Sequence, residues 1–269
     1  MLKTEMRNPN TLHIDQMSTS DMLECMNREN AVAVAAVAEA LPSVARAVDA
    51  AAEALANGGR LIYMGAGTSG RLGVIDAAEC PPTFGVSPDT VVGIIAGGRE
   101  CMFRAAENQE DNGAAGVADL KAAKLTARDV VVGISAAGGA SYVIGALEYA
   151  ASIGCTTVGI TSNANTLLDK TAHISIVTDT GAEVITGSTR LKAGTAQKLV
   201  LNMISTCAMI KCGYVYENLM INLRPTNEKL RGRMVRIVAA ILDVDEQTAT
   251  ARLDANEWNI RKAVSKPVS

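Results

Sequence analysis

Two features of this sequence are suited to chemistry: a glycine-rich loop at Gly65–Gly70 and several carboxylates that follow it. The loop reads GAGTSG and directly follows the apolar run Leu61–Met64. Glycines permit a tight turn and a close backbone approach, and a helix that begins in such a loop directs its free N–H groups at an anion. The sequence therefore predicts four anion-binding residues: Gly67, Thr68, Ser69 and Gly70.

The same string matches G-x-G-x-x-G, so a dinucleotide-binding fold is an alternative. Two observations favour a terminal phosphate. The second apolar run ends IAGG at 95–98, with no acid placed to hold a ribose hydroxyl. Thr68 and Ser69 also add two hydroxyl donors, which suit a phosphomonoester better than a pyrophosphate. The motif alone is weak evidence, and an NAD-dependent enzyme stays open as a distant alternative.

The first candidate acid or base is Glu79, in the segment DAAECPPT. Pro81 disfavours helical backbone at the residue before it, so we expect Glu79 at or near a helix end. A carboxylate at a helix C-terminus opposes the helix dipole. Such a residue is either a solvated end residue or a carboxylate with a raised pKa that is poised for proton transfer.

A second acidic group lies in the segment ENQED at 107–111. We expect a helix from about Arg99, with Glu107 and Glu110 on one face near its end and Asn112-Gly113 as its stop signal. This group has the same two interpretations, a solvated charge run or a carboxylate placed for proton transfer. The sequence leaves both open for this group as for Glu79.

The elements that would position these residues begin at Arg60, where short apolar runs alternate with helical stretches. Five runs are rich in β-forming residues: Leu61–Met64, Val91–Ile95, Val130–Ile134, Thr156–Ile160 and Ile174–Val177. This alternation predicts an α/β fold with a doubly wound, five-stranded parallel sheet flanked by helices. Ligands of such sheets bind beyond the carboxyl ends of the strands, so the residues just after each run are the candidates for a site.

Helical segments precede and follow the sheet. The pattern of residues 18–57 predicts two N-terminal helices. Ser18 is a candidate N-cap, and Pro42 is expected to kink or split the Ala-rich part. A long helix is expected at Leu191–Lys211, and Pro225 precedes a small C-terminal helical bundle of two or three short helices. We therefore predict three parts: a helical segment at 1–57, the sheet domain at 58–224 and the bundle at 225–269.

Composition and charge exclude several classes of function. A net charge of −3 and a pI of about 5.5 provide no global positive field for nucleic acid or an anionic membrane. The six cysteines are scattered and there are two histidines, which gives no support for a metal site. The polar N-terminus lacks a signal-peptide core, and no run approaches the roughly 18 uninterrupted apolar residues of a membrane helix. We expect a soluble, cytoplasmic protein.

Longer motifs carry a specific resemblance. The stretch GRLIYMGAGTSGRLGVIDAAECPPTFGV at 59–86 resembles the signature of the N-acetylmuramic acid 6-phosphate etherases. The similarity begins at Thr4-Glu5 and includes the strings GSTRLKAGT at 187–195 and TNEKL at 226–230, so it covers most of the chain. The fold that this resemblance implies is the sugar isomerase (SIS) domain.

The resemblance implies an enzyme that cleaves the D-lactyl ether of N-acetylmuramic acid 6-phosphate, giving N-acetylglucosamine 6-phosphate and D-lactate during peptidoglycan recycling. It implies no metal and no organic cofactor. The family's catalytic acid matches Glu79, and its second glutamate, the base for the C2 proton, matches Glu110. It also implies a homodimer whose sites lie at the subunit interface and draw residues from both chains.

One segment departs from the family. The etherases carry A-x-S-G-R-T in a second phosphate loop, where this chain has SAAGGA at 135–140. Ser135 keeps a hydroxyl for the phosphate, but Ala137, Gly139 and Ala140 replace the family's Ser, Arg and Thr. Each lost hydrogen bond to a charged group costs about 1.5–3 kcal/mol. This change favours the alternative of a non-catalytic sugar-phosphate-binding regulatory protein, similar to the glucokinase regulatory protein, whereas the two retained glutamates favour the enzyme.

The position of Glu79 constrains how a site can be assembled. If a helix ran unbroken from Gly70 to Glu79, its rise of 1.5 Å per residue would separate them by roughly 13–14 Å. The span from a phosphate on C6 to the ether on C3 of one sugar is about half that distance. Either the helix breaks early and Glu79 folds back, or Glu79 reaches a phosphate loop on a second subunit.

Overall fold

A five-stranded parallel sheet forms the centre of the computed structural model, which describes residues 1–104, 108–223, 225 and 227–265. The strands are β1 (Leu61–Gly65), β2 (Val91–Ile95), β3 (Val130–Ile134), β4 (Thr156–Thr161) and β5 (Ile174–Val177), and they lie in the order β2-β1-β3-β4-β5. All five predicted runs are strands, with ends that differ by one residue at most. The predicted fold class is confirmed.

The composition of the strands follows from their burial. Every residue of β1 and of β3 is buried, because helices cover both faces of the sheet. Strand β1 pairs with both β2 and β3, so that Leu61 lies between Val91 and Val130. Aliphatic residues therefore fill most of this core, with Tyr63 and Tyr142 as large aromatic exceptions.

The described residues before position 212 form six α-helices. They are α1 (Thr19–Ala56), α2 (Gly67–Phe84), α3 (Gly113–Ala122), α4 (Ser141–Ile153), α5 (Leu167–Thr171) and α6 (Lys192–Lys211). Ser18 caps α1 as predicted, with its side chain accepting from the backbone N–H of Asp21.

The prediction of two N-terminal helices was wrong, because α1 is one helix with Pro42 inside it. A proline removes the hydrogen bond to the carbonyl four residues earlier, here that of Ala38. Both Pro42 and Ala38 are exposed, so water can hydrate the freed carbonyl. The helix therefore continues through the proline without leaving a buried polar group unpaired.

Three further helix boundaries differ from the prediction. Helix α2 continues through Pro81 and Pro82 to Phe84, so Glu79 is not at a helix end. The helix expected from Arg99 is a short 3-10 turn, Arg99–Met102. Asn112 does not stop a helix but starts one, since its side chain caps α3 by accepting from the N–H of Ala115. Glu107 lies outside the described residues.

Helix α1 is long and apolar enough, by length and composition alone, to match a membrane span. Isolated polar residues interrupt its apolar sequence, which is why the sequence shows no uninterrupted apolar run of that length. Core helices of soluble proteins can be as long and as apolar, so this is weak evidence for a membrane span. Helix α1 contacts β1, β3 and β5, and its residues Ala33, Val37 and Val44 are buried.

Contacts divide the chain into two compact units, Met1–Ala78 with Asp89–Ala208 and Glu79–Pro88 with Met209–Ser269. The second unit contains the hairpin β6 (Val215–Tyr216) and β7 (Leu219–Met220), and the helices α7 (Glu228–Leu242), α8 (Glu246–Ala255) and α9 (Ile260–Val264). Met234, Val238 and Leu253 are fully buried in its core. The predicted C-terminal helical bundle is confirmed, with three helices among its described residues.

Candidate active site

The candidate site lies within the first unit, at the carboxyl edge of the sheet. From β1 the chain crosses through α2 to β2 on one side and returns to β3 on the other, so the connections diverge between β1 and β3. Such a point opens a crevice in a doubly wound sheet. Here the crevice is a cavity of about 310 Å³. It is lined by residues of five segments: Glu5, residues 66–69, Glu110, residues 134–137 with Ala140, and Gly187 with Thr189.

The glycine loop after β1 has the tight geometry that the sequence predicts. A side chain at Gly70 would place its Cβ 2.4 Å from the carbonyl oxygen of Gly65 and 2.8 Å from Cγ1 of Ile95. Gly67 has φ +53°, a left-handed conformation that favours glycine. The two glycines let the chain turn directly from β1 into α2, so that the helix starts at the cavity.

Hydrogen-bond donors converge on the cavity from this loop. The first N–H groups of a helix have no partner within the helix, and α2 begins at Gly67. Thr68 and Ser69 line the cavity. The Ser69 hydroxyl donates to Oε1 of Gln197, on α6, at 3.0 Å. The arrangement is suited to an anion held by backbone N–H groups and hydroxyls.

The loop after β3 supplies the facing wall. Ser135 is buried, and its Oγ accepts from the backbone N–H of Gly138 at 3.1 Å, which leaves the hydroxyl proton available to a ligand. Gly138 has φ +73°, and a Cβ there would meet Oγ1 of Thr166 at 2.3 Å. At Gly139 a Cβ would meet nothing within 4 Å. Ala140 stands at the N-cap of α4 and provides no side-chain capping bond.

Glu110 also lines the cavity, with its side chain exposed. Its backbone carbonyl accepts from the N–H of Tyr142 at 2.9 Å, in the first turn of α4. This bond ties the segment that carries Glu110 to the loop after β3, since α4 starts where that loop ends. Glu79, by contrast, is an exposed residue of α2 and is not among the described residues that line the cavity.

The N-terminal segment and the loop before α6 close the remaining side. Gly187 N–H donates to the carbonyl of Thr4 at 3.3 Å, which places Glu5 beside the loop. The buried carboxylate of Glu183 accepts from the N–H groups of Lys192 and Ala193 at 2.9 and 3.0 Å, and so caps α6. These contacts fix both ends of the loop that carries Gly187 and Thr189.

A buried ion pair anchors the same loop. Lys192 Nζ donates to Glu29 on α1 at 2.5 Å, and both side chains are almost fully buried. Burial opposes ionisation of Glu29, but hydrogen bonds from Lys192, Asn10 and Asn8 outweigh it and lower the pKa of its carboxyl group. Glu29 therefore stays ionised and links α1, α6 and the N-terminal segment.

Sequence comparison with named proteins identifies the family of this chain. An N-acetylmuramic acid 6-phosphate etherase of Cronobacter sakazakii is 53% identical over 263 residues, which cover 98% of this chain and 89% of the relative. One from Halalkalibacterium halodurans is 54% identical over 252 residues, covering 94% and 85%. The chain belongs to the N-acetylmuramic acid 6-phosphate etherase family. This confirms the resemblance, and the etherases give no support to the non-catalytic alternative.

Domain and fold comparisons agree with this assignment. The glucokinase regulatory protein N-terminal SIS domain matches residues 43–151, and the SIS domain matches residues 109–206. A phosphoheptose isomerase from Francisella tularensis has a TM-score of 0.53 at 16% identity, over 71% of this chain and 98% of that one. The Vibrio vulnificus NanR protein complexed with ManNAc-6P has a TM-score of 0.52 at 16% identity, over 76% and 69%. At this identity the likeness shows the fold.

The structure brings most of the predicted site residues together. Five of them line the cavity: Gly67, Thr68, Ser69, Glu110 and Ser135. The other two, Gly70 and Glu79, are not among the described residues that line it. Sequence reasoning missed Glu5 and Thr189 as lining residues, although the strings that contain them were already similar to those of the etherases. It also missed Gln197, an amide of α6 that no local sequence pattern sets apart from Asn202 on the same helix.

Proposed function

We propose that this chain cleaves the D-lactyl ether of N-acetylmuramic acid 6-phosphate, giving N-acetylglucosamine 6-phosphate and D-lactate. The observation that carries the proposal is identity above 50% to named etherases over nearly the whole chain. The test is incubation of the purified protein with N-acetylmuramic acid 6-phosphate and an enzymatic assay for D-lactate. Unphosphorylated N-acetylmuramic acid is the matched control, and release of no lactate from the phosphorylated sugar would contradict the proposal.

The phosphate is proposed to lie against the start of α2. Free N–H groups of its first turn and the hydroxyls of Thr68, Ser135 and Thr189 are donors at this cavity, and the Ser69 hydroxyl joins them if its proton turns away from Gln197. Of the described residues that line it, the ionisable ones are the carboxylates Glu5 and Glu110. The anion is therefore held by neutral donors, and the family's arginine at position 139 has no replacement among them. We expect a lower affinity for the phosphate than in etherases that have the A-x-S-G-R-T loop.

The proposed chemistry assigns one role to each glutamate. Once the sugar ring opens, the C2 proton lies next to the C1 aldehyde and becomes acidic. Glu110 takes that proton, Glu79 protonates the ether oxygen on C3, and the C3–O bond breaks so that D-lactate leaves. Water then adds across the new double bond. The position of Glu110 in the cavity lining supports its role as the base. Two carboxylates in different environments can act as acid and base at the same pH.

Glu79 is proposed to act on the cavity of a second subunit. Helix α2 is continuous over Gly67–Phe84, so the first of the two arrangements, an early helix break, does not occur. Glu79 therefore lies roughly 13–14 Å along the helix from Gly70, farther than one sugar spans. A twofold homodimer would supply Glu79 to the partner's phosphate loop and build two equivalent composite sites.

The cytoplasmic location and the domain boundaries at residues 57 and 224 remain predictions.

A further inference from the structure

Gln197 is a buried amide that, among the described residues, uses its oxygen in a hydrogen bond but not its NH₂ group. It lies on α6, is 1% exposed and accepts the Ser69 hydroxyl proton at Oε1. Its Nε2 has no hydrogen-bond partner among the described residues. Buried side-chain donors are paired in the large majority of cases, so an unpaired one beside a ligand cavity calls for a functional reason.

The direction of the Ser69–Gln197 hydrogen bond conflicts with phosphate binding. A hydroxyl has one proton and two acceptor lone pairs, and the oxygens of a phosphate dianion are acceptors. While Ser69 donates to Gln197, its oxygen can present only lone pairs to the cavity. Ser69 can bind a phosphate oxygen only if its proton turns away from Gln197.

We propose that Gln197 is a positioning residue whose amide inverts when phosphate binds, so that Nε2 donates to Ser69 Oγ and the Ser69 proton turns to the phosphate. This proposal rests on the proposed function, in which the phosphate lies at the start of α2. Inversion exchanges two groups of nearly equal size, so it needs no movement of α6. It gives the unpaired Nε2 a partner and leaves a carbonyl oxygen in its place, which is tolerated more readily than an unpaired N–H.

Residue 197 must accept a hydrogen bond from Ser69 without phosphate and donate one to Ser69 with phosphate bound. The test therefore compares side chains that can only accept, or do neither, with the wild-type amide. Gln197→Glu has the same shape but, when ionised, only accepts, so it retains the Ser69 proton. Gln197→Met has a similar length and releases the proton. We expect Gln197→Glu to raise KM for the sugar phosphate and the inhibition constant of inorganic phosphate by about tenfold or more, with kcat within about twofold. Gln197→Met should raise both constants by less than about threefold.

A double-mutant cycle separates this role from simple charge repulsion. In a Ser69→Ala background the hydroxyl is absent, so Gln197→Glu should weaken phosphate binding by less than about twofold, as measured by calorimetry with inorganic phosphate. An undiminished effect in that background would overturn the proposal, as would equal losses in Gln197→Glu and Gln197→Met. Calorimetry needs no turnover, so a wild type that binds phosphate but releases no lactate would contradict the proposed reaction and leave the cycle valid.

A second measurement covers a Gln197→Glu variant that does not fold. The side-chain NH₂ signals of Gln197 are identified in the amide NMR spectrum by their loss in Gln197→Met. Inorganic phosphate should shift them in the wild type and not in Ser69→Ala. No shift in the wild type at saturating phosphate, or the same shift in both proteins, would overturn the inference.

Discussion

The two proposed catalytic carboxylates lie in different parts of the fold, and we expect them to control different steps of the reaction. Glu110 lines the cavity next to α4, whereas Glu79 lies on the exposed side of α2. Replacing Glu79 by Gln should abolish lactate release while leaving exchange of the C2 proton measurable in deuterated water. Replacing Glu110 by Gln should suppress the exchange itself. Mass spectrometry of the recovered sugar measures the exchange.

The control for this pair is Glu100→Gln, which removes an acidic group from the 3-10 turn Arg99–Met102; Glu100 is not among the described residues that line the cavity. That variant should exchange and release lactate like the wild type. The assignment of roles is wrong if Glu79→Gln and Glu110→Gln both exchange and eliminate normally.

Gly70 and Gly139 differ in the space that a side chain would find, and this difference leads to a second prediction. At Gly70 a methyl group would lie 2.4 Å from a carbonyl oxygen of β1, whereas at Gly139 it would meet nothing within 4 Å. Gly70→Ala should lower the free energy of unfolding by about 1–3 kcal/mol and weaken phosphate binding, because the start of α2 must move. Gly139→Ala, the matched control, should change neither. Urea denaturation and calorimetry provide both measurements, and equal effects would contradict the argument.

The glycine loop was predictable because its chemistry is contiguous in the sequence. Gln197 was not, since it is 128 residues from Ser69 and only the packing of α6 brings them together. Glu5 is similar, because the N-terminal segment reaches the cavity through long-range bonds such as that from Gly187 to Thr4. Local pattern identifies a loop that can bind an anion, but tertiary contacts decide what else faces it.

At the scale of elements, the strands were predicted more accurately than the helix boundaries. Buried parallel strands are continuous apolar runs, and that pattern marks both of their ends. Pro42 and Pro81 were expected to limit helices, yet α1 and α2 contain them. The carbonyl freed by Pro42 belongs to exposed Ala38, whereas the one freed by Pro81 belongs to buried Ala77. A proline in the sequence therefore does not by itself determine where a helix ends.

The link between α1 and α6 yields a stability prediction. Lys192→Met leaves the buried carboxylate of Glu29 without its cation, so the free energy of unfolding should fall by about 3–5 kcal/mol. The double variant Glu29→Gln with Lys192→Met removes both charges and should recover part of the loss. Urea denaturation near neutral pH measures both. A double variant less stable than Lys192→Met would contradict the role given to the charge pair.

The same pair predicts a dependence on pH. The pKa of Glu29 is lower in the folded protein than the ordinary 4.5, so its ionised form stabilises the fold at pH above that value. This contribution should be lost as the pH falls below 4.5 and through the folded pKa. Stability in Glu29→Gln should fall less steeply over that range, as measured by denaturation at a series of pH values. Parallel curves for the two proteins would show that Glu29 contributes nothing to acid sensitivity.

At the scale of the whole molecule, the question is how many chains one site needs. The sequence alone left two arrangements open, an early break in α2 or a second subunit. The continuous helix Gly67–Phe84 removes the first. The second arrangement, a site completed by another subunit, is therefore the one proposed.

A mixture of two defective chains tests the composite site. One chain carries Glu79→Gln with an intact phosphate loop, and the other carries Thr68→Ala and Ser69→Ala with an intact Glu79. In a mixed dimer, the intact loop of the first chain meets the intact Glu79 of the second, so one of the two sites is complete. Random pairing of equal amounts makes half of the dimers mixed, so lactate release should recover to about a quarter of the wild-type rate. If subunit exchange is demonstrated by differently tagged chains and activity does not recover, each site is built within one chain and the proposed assembly is wrong.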